Sequence, residues 1–294
     1  MKVIDPALTA TKDMHQYLLG AVSPRPIAFA STLGPDGVPN LAPYSFFNCF
    51  SSNPPTVVFS SNRRGTDASV KDTLRNVEAT GEVVINAVNY NIVRQMALAS
   101  IDYPASISEF SKAGLTPIAS DLVKPFRVKE SPAHLECKVR DIITLGDQGG
   151  AGHLIICDVA RMHISEEVLD ENGKINPHKI DLMGRMGRAF YVRASGEAIH
   201  KIVQPVNVLG IGFDELPAGI RNSKVLTGNN LGMLASIPQP PAPEEALRLK
   251  EESYIQEALN SPDPVQALHL LAQKALAREE VALAARIAWL SASL

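Results

Sequence analysis

Residues 23–48 read Ser23-Pro24-Arg25-Pro26-Ile27-Ala28-Phe29-Ala30-Ser31-Thr32-Leu33-Gly34-Pro35-Asp36-Gly37-Val38-Pro39-Asn40-Leu41-Ala42-Pro43-Tyr44-Ser45-Phe46-Phe47-Asn48. Two β-like runs, 26–33 and 38–47, flank Gly34-Pro35-Asp36-Gly37. Asp-Gly between apolar runs predicts a hairpin, because glycine takes the positive φ that a tight turn demands. The second run ends in Tyr44-Ser45-Phe46-Phe47-Asn48, an aromatic strand that also carries hydrogen-bonding side chains. Aromatic residues favour strands in any case and could simply fill a barrel. Ser45 and Asn48 add polar groups able to meet the edge of a bound ring, so the stretch suits a planar heteroaromatic ligand.

Outward from this hairpin, strands dominate. Residues 1–22 form an entry segment, with a short helix through Leu19 capped by Thr11 or Asp13 and ended by Gly20. Asn53-Pro54-Pro55 marks a turn before the β-branched strand 56–61. A helix over 73–80 stops at Gly81, the usual C-terminal glycine position. Strand 82–87 and a helical repeat over 92–100 follow, then a loop over 101–124 with a helical piece near Glu109. Strands are predicted at 133–144, 154–163 and 190–194, and imperfect alternation in the second suggests burial on both sides. Glycine-rich 146–152 joins the first two. Short connections without strict strand–helix alternation indicate a mainly β, α+β fold: an antiparallel barrel, closed or nearly so, with a few inserted helices.

Three segments are expected: a barrel domain over 1–203, an extended Pro/Gly-rich arm over 204–243, and a helical tail over 244–294. The arm is stiffest at Pro238-Gln239-Pro240-Pro241-Ala242-Pro243. The tail breaks at Ser261-Pro262-Asp263-Pro264, and its second helix aligns Leu268, Leu271, Ala275, Ala282, Ala285 and Trp289 near one stripe.

At 294 residues, 45 % hydrophobic, 20 % charged and a formal charge of −3, the chain has an ordinary globular composition. No basic tract asks for nucleic acid. No apolar run approaches the roughly 18 residues of a membrane helix. Met-Lys-Val-Ile-Asp-Pro lacks a secretory layout, so a cytoplasmic address is expected. Cys49, Cys137 and Cys157 are widely spaced and indicate neither disulfides nor zinc. No histidine sits at metal-ligand spacing, and only His163, at a strand end, could line a pocket.

The segment Ser60 to Thr73 is the best anion site, with arginines, a lysine, hydroxyls and a glycine directly before a helix. Helix N-terminal N–H groups and the macrodipole favour phosphate. Arg63, Arg64 and Lys71 can supply counter-charge; Ser60, Ser61, Ser69 and Thr73 can donate. The plainer reading is a helix cap beside solvated arginines. Together the two segments describe a ligand with a planar head and a phosphate tail. Flavin mononucleotide (FMN) and pyridoxal phosphate fit equally on these residues.

The runs Ser23-Pro24-Arg25-Pro26-Ile27-Ala28 and Ala42-Pro43-Tyr44-Ser45-Phe46-Phe47-Asn48 resemble the flavin reductase-like family of FMN-binding split barrels. Lys71-Asp72-Thr73-Leu74-Arg75-Asn76, Gly81 to Asn86, Ala113 to Pro117, Leu135-Glu136-Cys137 and Met183 to Gly187 agree, in consistent order over 14–195. Ile220 to Asn230 looks like an extension that some members carry, while 244–294 lies outside the pattern. The resemblance implies a homodimer binding FMN, with FAD possible, near the subunit interface. Tyr44, Ser45, Phe46 and Asn48 would border the isoalloxazine. Ser60, Ser61, Arg64, Lys71, Asp72 and Thr73 would hold the phosphate, and Arg185 would lie on a loop closing the pocket. It further implies hydride transfer from NAD(P)H to flavin and on to a small-molecule or protein acceptor, with no catalytic side chain required. A non-catalytic flavin carrier and a pyridoxamine-phosphate oxidase are the rival readings.

Overall fold

In the computed structural model, residues 1–202 and 209–294 are described. They form two compact units, Met1–His200 and Lys201–Leu294.

The first unit opens with α1 (Thr11–Ala21), then β1 (Ala28–Leu33), β2 (Pro39–Tyr44), β3 (Phe47–Ser52) and β4 (Pro55–Ser60). Next come α2 (Asp72–Thr80), β5 (Glu82–Asn86), α3 (Val93–Leu98) and α4 (Glu109–Ala113). The short β6 (Pro117–Ile118) and β7 (Arg127–Val128) precede the long β8 (Ala133–Thr144) and β9 (His153–Ile164). A turn of helix, α5 (Pro177–Ile180), leads into the hairpin β10 (Met183–Arg185) and β11 (Tyr191–Arg193).

Seven strands make one antiparallel sheet in the order β2-β1-β5-β8-β9-β4-β3. Its two outermost strands, β2 and β3, are consecutive in the chain and joined only by Ser45 and Phe46. A residue spans at most about 3.6 Å, so these edges must lie side by side and the sheet must curl into a barrel. No ladder joins β2 to β3 among the described residues. The barrel is therefore closed by covalent connection and split in its hydrogen bonding. This divides the predicted strand 38–47 in two, because the chain must turn at Ser45-Phe46 to pass from one edge to the other.

Alternation along β1 supplies two cores. Ala28 and Ala30 face the barrel interior with Phe59, Ile85, Cys137 and Ile155. Ile27 and Phe29 face outward beneath Met96 of α3 and Phe110 of α4. Double burial thus belongs to β1. β9 instead alternates cleanly over 153–158 and is exposed over 160–162. Gly81 ends α2 at φ 66°. α1 runs through Gly20 to Ala21, with Ala10 as N-cap and no side chain capping it, so neither Thr11 nor Asp13 serves as the expected cap.

The second unit is helical: α6 (Ala218–Arg221), α7 (Gly228–Ala235), α8 (Pro243–Arg248), α9 (Ser253–Leu259), α10 (Pro264–Ala277) and α11 (Val281–Ala292). The expected extended arm is not found over 209–243. Thr227 and Asn230 form a capping box that starts α7, and Ile220, Leu226 and Leu234 join one core with Leu268 and Ile287. The expected boundary at 203/204 falls outside the described residues. The tail's second helix is in fact α10 and α11, separated at Arg278–Glu280, where Glu279 adopts φ 60°. No helix among the described residues is long and apolar enough to cross a membrane.

His269 ties this unit together. Ser223 Oγ accepts the Val225 and Leu226 amides (3.1 and 3.0 Å), so its proton goes to His269 Nδ1 at 2.8 Å. Nε2–H then donates to Ser291 Oγ at 2.9 Å, which donates to the Ala288 carbonyl at 2.6 Å. Burial holds the imidazole pKa below its ordinary 6.5, opposed by Asp263. The unfolded chain therefore takes up more protons in the window below 6.5. The histidine's contribution is present above that pH and is lost as pH falls toward the folded-state pKa. Urea unfolding followed by the fluorescence of Trp289, the single tryptophan, is expected to show stability falling below pH 6.5; His269→Gln should flatten that dependence.

Candidate functional site

The end of β2, the loop after β4 and the start of α2 converge on one cavity. Tyr44, Arg64, Lys71, Asp72 and Thr73 line it, and Asp102 and Glu109 face them from the segments around α4. These were dispersed over 65 positions of sequence, and the barrel closure brings them together.

The charges are unequal in availability. Arg64 is bound fully: Nε and Nη2 reach Asp102 (3.4 and 3.2 Å), and Nη1 donates to Ser69 Oγ and the Val70 carbonyl (3.3 and 2.8 Å). It lines the cavity and also clasps the 62–71 loop to the segment carrying Asp102. Asp72 pairs with Arg75 at 3.0 Å. Glu109 is buried, accepts the Leu41 amide at 2.9 Å, and has its pKa raised by burial and by Asp72. Lys71 has no carboxylate within ion-pair distance among the described residues. Burial lowers its pKa, opposed by Asp102 and reinforced by Arg64. Its ammonium lies 5.6 Å from the centre of the Tyr44 ring.

Several polar groups here lack partners. No side chain caps α2, whose N-cap is Lys71 itself. The Asp72 and Thr73 amides at its first turn are therefore left for another acceptor. Tyr44 Oη, Ser61 Oγ and Arg63 Nε are buried without a well-aligned hydrogen bond; burial raises the Tyr44 pKa, opposed by the neighbouring Thr73 and Ser61 hydroxyls. Such groups are costly unless a ligand or water satisfies them. Thr73 Oγ1 accepts from Asn40 Nδ2 at 2.9 Å, leaving its own proton to donate.

Ser60 and Ser61 lie behind the cavity rather than on its wall. Ser60 Oγ donates to Asn62 Oδ1 at 2.9 Å, and the Ser61 amide donates to the His153 carbonyl at 3.2 Å. They seat the loop on the β8–β9 connection, whose glycines have a packing purpose that composition does not reveal. A Cβ at Gly149 would stand 3.1 Å from the Gly65 carbonyl oxygen, and one at Gly152 would stand 2.7 Å from Ser60 Oγ.

Ser45, Phe46, Asn48 and Arg185 do not line this cavity. Asn48 is exposed on β3, its Oδ1 accepting the Cys49 amide at 2.8 Å. Phe46 sits beneath Arg25, 6.0 Å from the guanidinium, and Arg185 stacks on Tyr191 at 4.6 Å. Arg25, 5 % exposed, was visible in sequence only as part of a motif. It donates to the carbonyls of Leu19 and Met186 (both 2.7 Å) and of Val22, fastening α1 to the stretch after β10. His163 lies elsewhere, 2.7 Å from Glu136 with Asp121 near. Although these three have metal-ligand spacing, Glu136 already accepts the Asp121 and Leu122 amides and Arg161 binds Asp121 at 2.7 Å. They make an ion-pair network.

The family model of the flavin reductase like domain matches residues 20–180. An uncharacterized protein of Aquifex aeolicus is 37 % identical over 189 residues, spanning 64 % of this chain and 94 % of the relative. Among solved structures, nitrilotriacetate monooxygenase component B from Bacillus cereus aligns with a TM-score of 0.63 at 30 % identity, covering 69 % of this chain and 98 % of that one. The Pseudomonas fluorescens 2-nitrobenzoate 2-nitroreductase NbaA aligns with a TM-score of 0.61 at 27 % identity, covering 72 % and 100 %. The chain belongs to the flavin reductase-like family, and its barrel is the family's split barrel.

Because Gly149 allows the closest approach to the 62–65 loop, Gly149→Ala is expected to displace that loop without unfolding the barrel. Hydrogen exchange should accelerate at Arg63, whose amide donates to Ala151, and at Gly150, whose amide donates to Arg63. Exchange in β8 and β5 should stay unchanged.

Proposed function

We propose that this member of the flavin reductase-like family is an FMN-binding oxidoreductase that takes hydride from NAD(P)H and passes electrons to an acceptor. One observation carries the reading: the uncapped start of α2 opens into a cavity that also holds a lysine with no carboxylate at ion-pair distance among the described residues, beside the buried Tyr44 ring. This donor set suits a phosphate monoester joined to a polyhydroxyl chain and a flat ring. FMN, when bound, supplies the hydride-accepting and electron-passing chemistry. The two solved relatives, a monooxygenase component and a nitroreductase, support redox work of this class.

The chain's own part is binding and orientation. Lys71 and the Asp72 and Thr73 amides neutralise and hold the phosphate, and Thr73 Oγ1 donates a further hydrogen bond. Arg64 holds the phosphate loop closed through Asp102. Tyr44, fixed against Phe59 at 5.4 Å between ring centres, sets the floor next to the ligand. In this reading the protein acts as a homodimer. The partner copy covers β3, where Asn48, Cys49 and Phe50 are exposed, and so brings Phe46 and Asn48 to the flavin's border.

Lys71→Ala is expected to weaken FMN roughly tenfold to a hundredfold, the worth of a charge-assisted hydrogen bond, and to leave riboflavin unchanged. Quenching of flavin fluorescence on titration measures both; equal losses would refute the phosphate assignment. FMN-loaded protein is expected to oxidise NADH or NADPH, followed by nicotinamide absorbance. Bound flavin with neither nucleotide consumed would favour the carrier reading instead. Titration with FAD tells whether an adenylyl extension is accepted.

A further inference from the structure

A second cavity of about 420 Å³ lies in the barrel unit, apart from the first. Tyr90, just before α3, and Val93, Arg94 and Ala97 of α3 form one wall; Met183, Phe190 and Tyr191 of the β10–β11 hairpin form the other. We propose that it binds a planar aromatic acid, such as a benzoate-type carboxylate.

Three features of the walls select that chemistry. Its volume lies within the usual range of small-ligand pockets and admits a substituted single ring. Three aromatic side chains surround it, and Phe190 and Tyr90 are 67 % and 50 % exposed, apolar surface that a stacked ring would cover. The charge is one-sided. Among the described residues, Arg94 is the only charged one lining the cavity, and no carboxylate lines it. Behind the rings, the Arg193 guanidinium lies 3.8 Å from Tyr90 and Arg185 lies 4.6 Å from Tyr191. Asp181, which binds Arg193 at 2.7 and 2.8 Å, is the single acid within ion-pair reach of these three arginines among the described residues. A net positive, aromatic-walled site favours an anion with a flat apolar body over a cation or an aliphatic chain.

The walls are also preformed. The hairpin is laddered from Met183↔Arg193 to Arg185↔Tyr191, and the Phe190 amide closes its tip on the Gly187 carbonyl at 3.0 Å. Helix α3 is shared: Val93, Arg94 and Ala97 face this cavity, and Ala99 to Tyr103, directly after it, line the first. An aromatic acid bound here lies one short helix from the proposed FMN site. Its binding does not depend on that reading.

The test uses the full chain with benzoate as probe and benzamide and cyclohexanecarboxylate as controls lacking the charge and the ring. Saturation-transfer NMR titration is expected to show saturable benzoate binding, at least tenfold weaker binding of each control, a tenfold or greater loss in Arg94→Gln, and abolition in Ala97→Phe, which adds a ring on an exposed helix face. Lys71→Ala should bind benzoate as the wild type does, so failure here and failure of the FMN reading are seen separately. No saturation, unchanged binding in both cavity variants, equal binding of cyclohexanecarboxylate, or displacement of benzoate by one equivalent of FMN would each overturn the proposal.

Discussion

The two-residue link between β2 and β3 constrains everything else in the barrel unit. Ser45 and Phe46 leave no room for the two sheet edges to part, so a seven-stranded sheet has to roll up on itself. The Phe46 carbonyl accepts the Ser60 amide at 2.8 Å, which fixes the end of β4 against the same link. Tyr44, the last residue of β2, is thereby turned into the core beside Phe59. The chain leaving β4 has to cross above it, and this crossing delivers the 62–71 loop and the start of α2 to the ring. Barrel closure and site assembly are one event.

Within the site, electrostatics are settled by which charges are already satisfied. Two cations and three carboxylates share a small volume, yet the arginine is consumed by Asp102, Asp72 by Arg75, and Glu109 by a backbone amide. What remains is one lysine and the open amides of a helix start. Partial burial strengthens both for an anion, because fewer waters compete. The glycines at 149 and 152 contribute by having no side chain: Gly149 lets its backbone rest on that of Arg64 and Gly65, and Gly152 leaves room for the Ser60 side chain.

The helical unit has its own logic. Its core is built from small and branched residues of α6 to α11, and a neutral histidine between two serines locks α10, α11 and the 223–226 segment by a fully satisfied hydrogen-bond chain. Buried polar groups of this kind specify one packing arrangement because every alternative leaves a donor or acceptor stranded.

The sequence alone determined the local elements. The strand runs at 28–33 and 133–144, the Asp36-Gly37 turn and the Gly81 stop all follow from backbone preferences that neighbouring residues decide among themselves, and the ordered motifs pointed to the family. It also marked Ser60 to Thr73, directly before a helix, as the best anion site. Only the tertiary structure decided where Tyr44-Ser45-Phe46 breaks, since a strand end there is imposed by sheet closure rather than by the residues. It likewise decided that 209–243 folds into a core, because Ile220 and Leu234 are buried by helices that lie far along the chain. The same holds for Arg64 and Lys71, indistinguishable as cations in sequence. One pairs with Asp102 and the other has no carboxylate at ion-pair distance among the described residues, because pairing depends on which residues the closed barrel places within about 3 Å, and composition carries no distances.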